Sequence, residues 1–141
     1  MFKSIIIGLV ILTVMGIFWR MGSLATGLPP WTPQVKQEAL SGHKKVFVHF
    51  TGEGCMSCKV QWSKVDLVAL KQLAAKTNTL LYEANLVPGN ANNTFITQEL
   101  SRLNLGGVPA YITLSSKGEW VVLEPTLYSP PDISKALLGL K

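Results

Sequence analysis

The stretch Val46–Lys59, VFVHFTGEGCMSCK, decides how this chain is read. Val46 to Phe50 is a nearly continuous apolar run of β-prone residues, the pattern of a central strand covered on both faces. Thr51-Gly52-Glu53-Gly54 then turns the chain, and Cys55-Met56-Ser57-Cys58 opens a helix. A cysteine at that junction meets unsatisfied backbone N–H groups and the positive end of the helix dipole, both of which favour thiolate over thiol. The thiolate attacks disulfides, and a second thiol one helical turn on can resolve the mixed disulfide that forms. With Gly107-Val108-Pro109 downstream, the pair reads first as a thiol–disulfide exchange centre.

Outward from that centre, 141 residues give room for one domain with one sizeable core. The chain is 48% hydrophobic and only 15% charged, which argues against disorder and towards a membrane segment. Ser4 to Trp19 contains no charged residue and is bracketed by Lys3 and Arg20. The run is slightly shorter than the roughly 20 apolar residues of a spanning helix, and snorkelling of Lys3 and Arg20 makes up part of the shortfall. An N-terminal membrane anchor over residues 1–21 is favoured, because Trp19 and Arg20 follow the run like an interfacial belt. The competing reading is a signal peptide cleaved at Ser23-Leu24-Ala25. Either way the remainder is exported, and the lysine at the N-terminus favours the N-in, C-out orientation.

Removing Lys3 and Arg20 from the net charge of +5 leaves 11 basic and 8 acidic residues, about +3. The lysines are scattered and accompanied by no arginine-rich stripe or aromatic platform, so nucleic acid is a poor partner. They read as a solvated surface, with mild attraction to anionic lipid as the other possibility.

Residues 22–32 read as a Gly- and Pro-rich linker, and 33–141 as the folded domain. Thr32-Pro33 supplies an N-cap and a proline at the first helical position, predicting a helix to about Leu40. After the strand at Val46–Phe50, one helix is expected from Met56 to about Lys76, burying Trp62, Val65, Ala69 and Leu73. Leu80–Leu86 is the next strand, and Thr94–Leu103 a second amphipathic helix. Ala110–Leu114 and Trp120–Leu123 flank a Lys117-Gly118 turn as a hairpin, and Pro131–Leu138 is a closing helix capped near Ser129 or Pro130.

This order, a βαβ start followed by a hairpin and a helix, joined to the Cys-x-x-Cys and Gly107-Val108-Pro109 motifs, resembles the thioredoxin superfamily. More narrowly, Cys-x-x-Cys-Lys59, the strand ending Glu83-Ala84-Asn85-Leu86, and Leu103-Asn104-Leu105-Gly106-Gly107-Val108-Pro109 resemble the C-terminal periplasmic domain of the thiol:disulfide interchange protein DsbD. The resemblance implies an α/β, three-layer fold with a central mixed sheet, here preceded by one transmembrane helix. It implies that Cys55 is the exposed attacking cysteine, Cys58 the more buried resolving one, and Pro109 a cis-proline opposite them. A cis bond there presents the Val108 backbone as a short edge on which an extended substrate can pair. The implied protein is a single-pass bacterial inner-membrane disulfide reductase with its domain in the periplasm. Its electrons would come from a separate transmembrane donor of the DsbD or CcdA kind, and its substrates are exported proteins with disulfides. The cysteine pair itself is the redox group, with no other cofactor and no metal.

Three departures from the family pattern stand out. His49 occupies the position six residues before Cys55 where those domains carry an Asp, and Trp62 stands where their active-site helix carries a Glu. These carboxylates are thought to move protons to and from the cysteines. His49 either inherits that role, since its ordinary pKa is near neutrality, or is a neutral, hydrogen-bonded core histidine. Gly54 replaces the usual tryptophan before the first cysteine, and Glu53 places a negative charge near the nucleophile, where it opposes the helix dipole.

Other uses of the dithiol are less economical. Zinc needs two further ligands and only His43 and His49 are at hand. A purely structural Cys55–Cys58 bridge closes too short a loop to stabilise much. Copper(I) capture by two soft thiolates, and oxidase or isomerase action by the same chemistry run in reverse, stay open as alternatives.

Overall fold

A computed structural model describes residues 26–141. The anchor over residues 1–21, the candidate cleavage site and the first residues of the expected linker lie outside the described residues. Among the described residues no helix is long and apolar enough to cross a membrane.

The elements run α1 (Pro33–Ser41), β1 (Lys45–Gly52), α2 (Met56–Ser63), α3 (Leu67–Lys76), β2 (Thr79–Leu86), α4 (Asn93–Arg102), β3 (Ala110–Leu114), β4 (Trp120–Leu123) and α5 (Ile133–Gly139). The strands form one mixed sheet in the order β2-β1-β3-β4. β1 pairs parallel with β2 and antiparallel with β3, and β3 pairs antiparallel with β4. The apolar run of β1 thus lies between two strands, and Val46 to Phe50 are all buried. Alternation along β1 divides the core. Val46, Val48 and Phe50 pack with Ala39 of α1 and Ile96 and Leu100 of α4. Phe47 points the other way, joining Tyr111, Leu70 and Ala74 of α3, and Leu137 of α5. The result is a sheet between two helical layers, each filled from one face of a strand of period two.

Three expectations change. The single helix over Met56–Lys76 is two helices, because the Asp66 side chain accepts a hydrogen bond from Ala69 N (3.0 Å) and starts α3 afresh. A short acidic side chain satisfies free N–H groups at a helix start better than it tolerates the helix interior. The break rotates the apolar stripe, so that Leu70 and Ala74 are buried while Ala69 is exposed. The cap of α5 is Asp132, which accepts from Lys135 N (3.0 Å), rather than Ser129 or Pro130.

Residues 26–32, read as linker, are not free chain. Trp31 N donates to Glu83 O (2.7 Å) and Glu83 N to Pro29 O (2.9 Å), a parallel bridge along the outer edge of β2. Leu28 and Trp31 are fully buried, and the Trp31 ring lies 5.5 Å from Tyr82 and 6.2 Å from Trp120. The Gly and Pro content that suggested a linker instead serves an extended edge segment that protects β2.

Candidate active site

β1 ends at Gly52, and Gly54 then takes a positive φ of 77°, which costs a residue without a side chain nothing. That turn delivers Cys55 to the N-cap of α2, where its Sγ lies 3.2 Å from Cys58 N. Cys55 and Cys58 are joined by a disulfide. Their environments differ: Cys58 is 1% exposed, whereas Cys55 is only half-buried. The Val108–Pro109 peptide is cis, and Val108 O lies 4.0 Å from Cys55 Sγ. Cys55, Cys58, Val108 and Pro109, singled out separately in the sequence, therefore meet at one end of the two central strands. A groove of about 330 Å³ runs between the Pro109 loop and the chain leaving β4, lined by Gly107, Val108, Pro109 and Pro125.

His49 lies beneath this site, 1% exposed and sandwiched between two rings. Trp62 of α2 stacks on it at 4.1 Å with planes 6° apart, and Tyr111 of β3 at 5.0 Å and 21°. Burial pulls its pKa down from 6.5 to about 3, so the ring is neutral throughout the physiological range. Neither ring nitrogen has a hydrogen-bond partner among the described residues. His49 is thus a neutral core histidine held by stacking, in place of the hydrogen bonds expected of one. The two positions at which the resemblance led carboxylates to be expected are here filled by two rings stacked on each other. Glu53 is exposed on the turn, its backbone N–H donating to Leu86 O (2.9 Å).

Two buried polar residues beside the site were not singled out by sequence. Gln61, 1% exposed on α2, donates from Nε2 to Thr126 O (2.5 Å) and Leu127 O (3.2 Å), and Lys64 Nζ donates to Tyr128 O (2.6 Å). Together they fasten the loop after β4 to the active-site helix. Glu83, 1% exposed on β2, accepts a hydrogen bond from Thr26 Oγ1. Burial raises its pKa, and hydrogen bonds from Thr26 and Asn85 oppose that only in part. Its position carried a readable signal: by alternation Glu83 falls on the same face of the strand as Leu81, which packs into the core. Glu83 also lines an open cavity of about 660 Å³, with Trp31, Thr51, Gly54, Lys59 and Asn85.

Comparison with solved structures finds the same fold. The oxidised C-terminal domain of Neisseria meningitidis DsbD is 20% identical, with 82% of this chain and all of that chain covered at a TM-score of 0.57. A DsbH oxidoreductase is 16% identical over 81% of this chain and 86% of its own, with a TM-score of 0.56. A thioredoxin from Thermus thermophilus is 20% identical over 79% and 85%, with a TM-score of 0.53. Comparison with curated protein sequences gives no match. The family model described as a thioredoxin-like domain matches residues 32–140, from the cap of α1 to the end of α5, and takes in both cysteines and the Pro109 loop. By that match the chain belongs to the thioredoxin-like domain family.

Proposed function

We propose that this protein is a thiol–disulfide oxidoreductase of the disulfide-reductase type, tethered to the bacterial inner membrane with its domain in the periplasm. One observation carries the reading: the half-buried sulfur of Cys55 stands beside the Val108 carbonyl, while its partner Cys58 is sealed behind it. A visiting disulfide can reach only the first sulfur. The reduced Cys55 thiolate attacks it and forms a mixed disulfide, and one substrate sulfur leaves as thiolate. Cys58 then attacks Cys55 Sγ, releasing the second substrate sulfur and closing the Cys55–Cys58 bond. Two electrons pass to the substrate, and no further cofactor takes part.

The neighbouring backbone of Val108 offers an extended substrate a short edge for pairing. Met56, Leu127 and Tyr128 are large, exposed apolar side chains on the active-site helix and on the loop fastened to it, suited to an unfolded or extended polypeptide. The uncharged run Ser4–Trp19 supports the tether. Electrons are replenished by a separate transmembrane donor of the DsbD or CcdA kind, and exported proteins with disulfides receive them.

Cys58→Ser tests the reading directly. The variant is expected to accumulate mixed disulfides through Cys55 in cells, visible as adducts that collapse on reduction, and Cys55→Ser to accumulate none. A copper-holding dithiol would give no adducts with either variant. Alkylation of intact cells before lysis then fixes direction: a mostly reduced pair is expected, and a fully oxidised pool would overturn the reductase reading.

A further inference from the structure

Lysines that look scattered along the sequence are gathered by the fold at one end of the sheet. Lys45 at the start of β1 is in register with Thr79 at the start of β2, and Val46 with Leu114 at the end of β3. Leu114 in turn faces Trp120 at the start of β4. The turns before β1, before β2 and between β3 and β4 therefore lie together. His43 Nδ1 is 3.3 Å from Ser116 O, and the Lys141 carbonyl accepts from Ser116 Oγ (2.7 Å), which brings residue 141 to the same place. Lys44, Lys45, Lys76, Lys117 and Lys141 thus share this pole, against one acid in its turns, Glu119. Glu38, a turn back on α1, is close to Tyr82, whose pKa is raised by burial and then by the Glu38 charge. None of the five lysines makes an ion pair among the described residues, whereas Lys36 and Arg102 are paired with Glu99. Lys45 Nζ lies 3.5 Å from Thr77 O, and the other four are exposed. Lys76 suits the dipole of the helix it ends, but Lys44, Lys117 and Lys141 lie outside the helices.

The same pole carries exposed apolar bulk. Leu40 in the last turn of α1, Leu80 at the second position of β2 and Leu138 in the last turn of α5 all remain exposed, Leu138 at 68%. Leucines set among unpaired lysines make a surface that gains both from headgroup charge and from the interfacial layer beneath it. The opposite end differs in sign. Around the cysteines, Glu53, Asp66, Glu124 and Asp132 outnumber Lys59 and Lys64. The eight residues of β1 hold the two ends about 23 Å apart. Chain length adds a second constraint. Thr26 is bonded to Glu83, the fifth residue of β2, and Arg20 closes the uncharged run. The six steps from Arg20 to Thr26 span at most about 20 Å when fully extended. Glu83 stands about 13 Å along β2 from the pole. An anchor ending at Arg20 therefore leaves the pole within reach of the bilayer surface.

We propose that this lysine- and leucine-bearing pole docks on the anionic lipid headgroups of the bilayer that holds the N-terminal run. The inference rests on the tethered reading above and adds which face the domain turns to the membrane. The lysines meet headgroup phosphates, and Leu40, Leu80 and Leu138 enter the interfacial layer. The more acidic active-site end is repelled by the same surface, so both ends favour one orientation. Cys55 and the Pro109 loop are held beyond the far end of β1 and face outward, where polypeptides in solution can reach them. The lysines come from four separate segments of the chain, which suits a broad anionic surface better than a single small ion.

The test places the full chain in lipid nanodiscs of phosphatidylcholine, alone or with phosphatidylglycerol, each carrying a trace of lipid with a gadolinium-chelating headgroup. Backbone amides are followed by NMR. In discs with phosphatidylglycerol, the amides of His43, Lys44, Asn78, Lys117 and Gly118 are expected to lose their signals to the paramagnetic surface, while those of Cys55, Cys58 and Val108 keep theirs. Salt at about 1 M, which shortens the screening length to about 3 Å, should remove the contrast. Lys44→Glu combined with Lys117→Glu should abolish it too, with the rate of exchange with glutathione unchanged. Loss spread evenly over both ends, stronger loss around Cys55, or the same contrast in neutral discs would overturn the proposal. A chain that does not stay with neutral discs would instead remove the tether reading. The pole is then judged by retention on discs with phosphatidylglycerol: retention that the double variant loses supports it, and retention that the variant keeps overturns it. A chain held by neither kind of disc would overturn both.

Discussion

His49 makes an unusual demand on the folded state that pH can expose. In the unfolded chain its imidazole takes up a proton near pH 6.5, whereas in the fold it stays neutral down to about 3. Between those values the unfolded state binds one more proton, so stability rises with pH and is lost as pH falls. Each pH unit in that window is worth about 1.4 kcal/mol, so acidification from pH 6.5 to 5 should remove about 2 kcal/mol on account of this one ring. Glu83 pushes the opposite way, because a carboxyl whose pKa is raised in the fold favours the folded state as pH falls. The comparison must therefore be made against a variant that alters His49 alone. His49→Phe keeps an aromatic ring between Trp62 and Tyr111 and removes the titration. Urea unfolding of the oxidised protein and of this variant at pH 7, 6 and 5 should show the wild type losing about 2 kcal/mol more than the variant. Parallel losses in the two proteins would refute the assignment of a neutral, buried His49 and return it to the candidates for proton transfer.

Gln61→Leu keeps the bulk of the side chain but frees the carbonyls of Thr126 and Leu127, so a loss of about 1–3 kcal/mol in denaturant unfolding is expected, with faster amide exchange confined to the loop after β4. An unchanged midpoint and unchanged exchange would show that the loop is held by other contacts. Burial opposes ionisation of Glu99, but hydrogen bonds and charge from Arg102 and Lys36 outweigh it and hold its carboxyl below the ordinary 4.5. Glu99→Gln should therefore cost about 1–2 kcal/mol above pH 4.5, discounted because Lys36 and Arg102 are partly solvated, and the difference should shrink as pH falls below it. A deficit that persists undiminished at pH 3 would point to lost packing.

The architecture was legible wherever local chemistry and tertiary need agreed. β1 declared itself by five consecutive residues that the sheet buries on both faces, and the β3–β4 hairpin by two short runs around Gly118, which takes a positive φ of 83°. Reading failed where a side chain's partner is remote in sequence or where two local signals compete. The stripe over Met56–Lys76 is continuous on paper, and only the hydrogen bond at Asp66 breaks it. Gly27, Pro29 and Pro30 look like linker until Trp31 is seen bonded to Glu83, because an extended edge segment and a flexible tether use the same residues.

At the active site the same division has a sharper consequence. Cys55 and Cys58 lie three residues apart in sequence, and the Gly107-Val108-Pro109 motif was placed opposite them by the resemblance. His49, Tyr111 and Trp62, which stack beneath the site, come from β1, β3 and α2, whose spacing along the chain carries no record of their pairing. Position 49 attracted attention because the resemblance led an acid to be expected there, yet an imidazole pressed between two rings has exchanged titration for stacking.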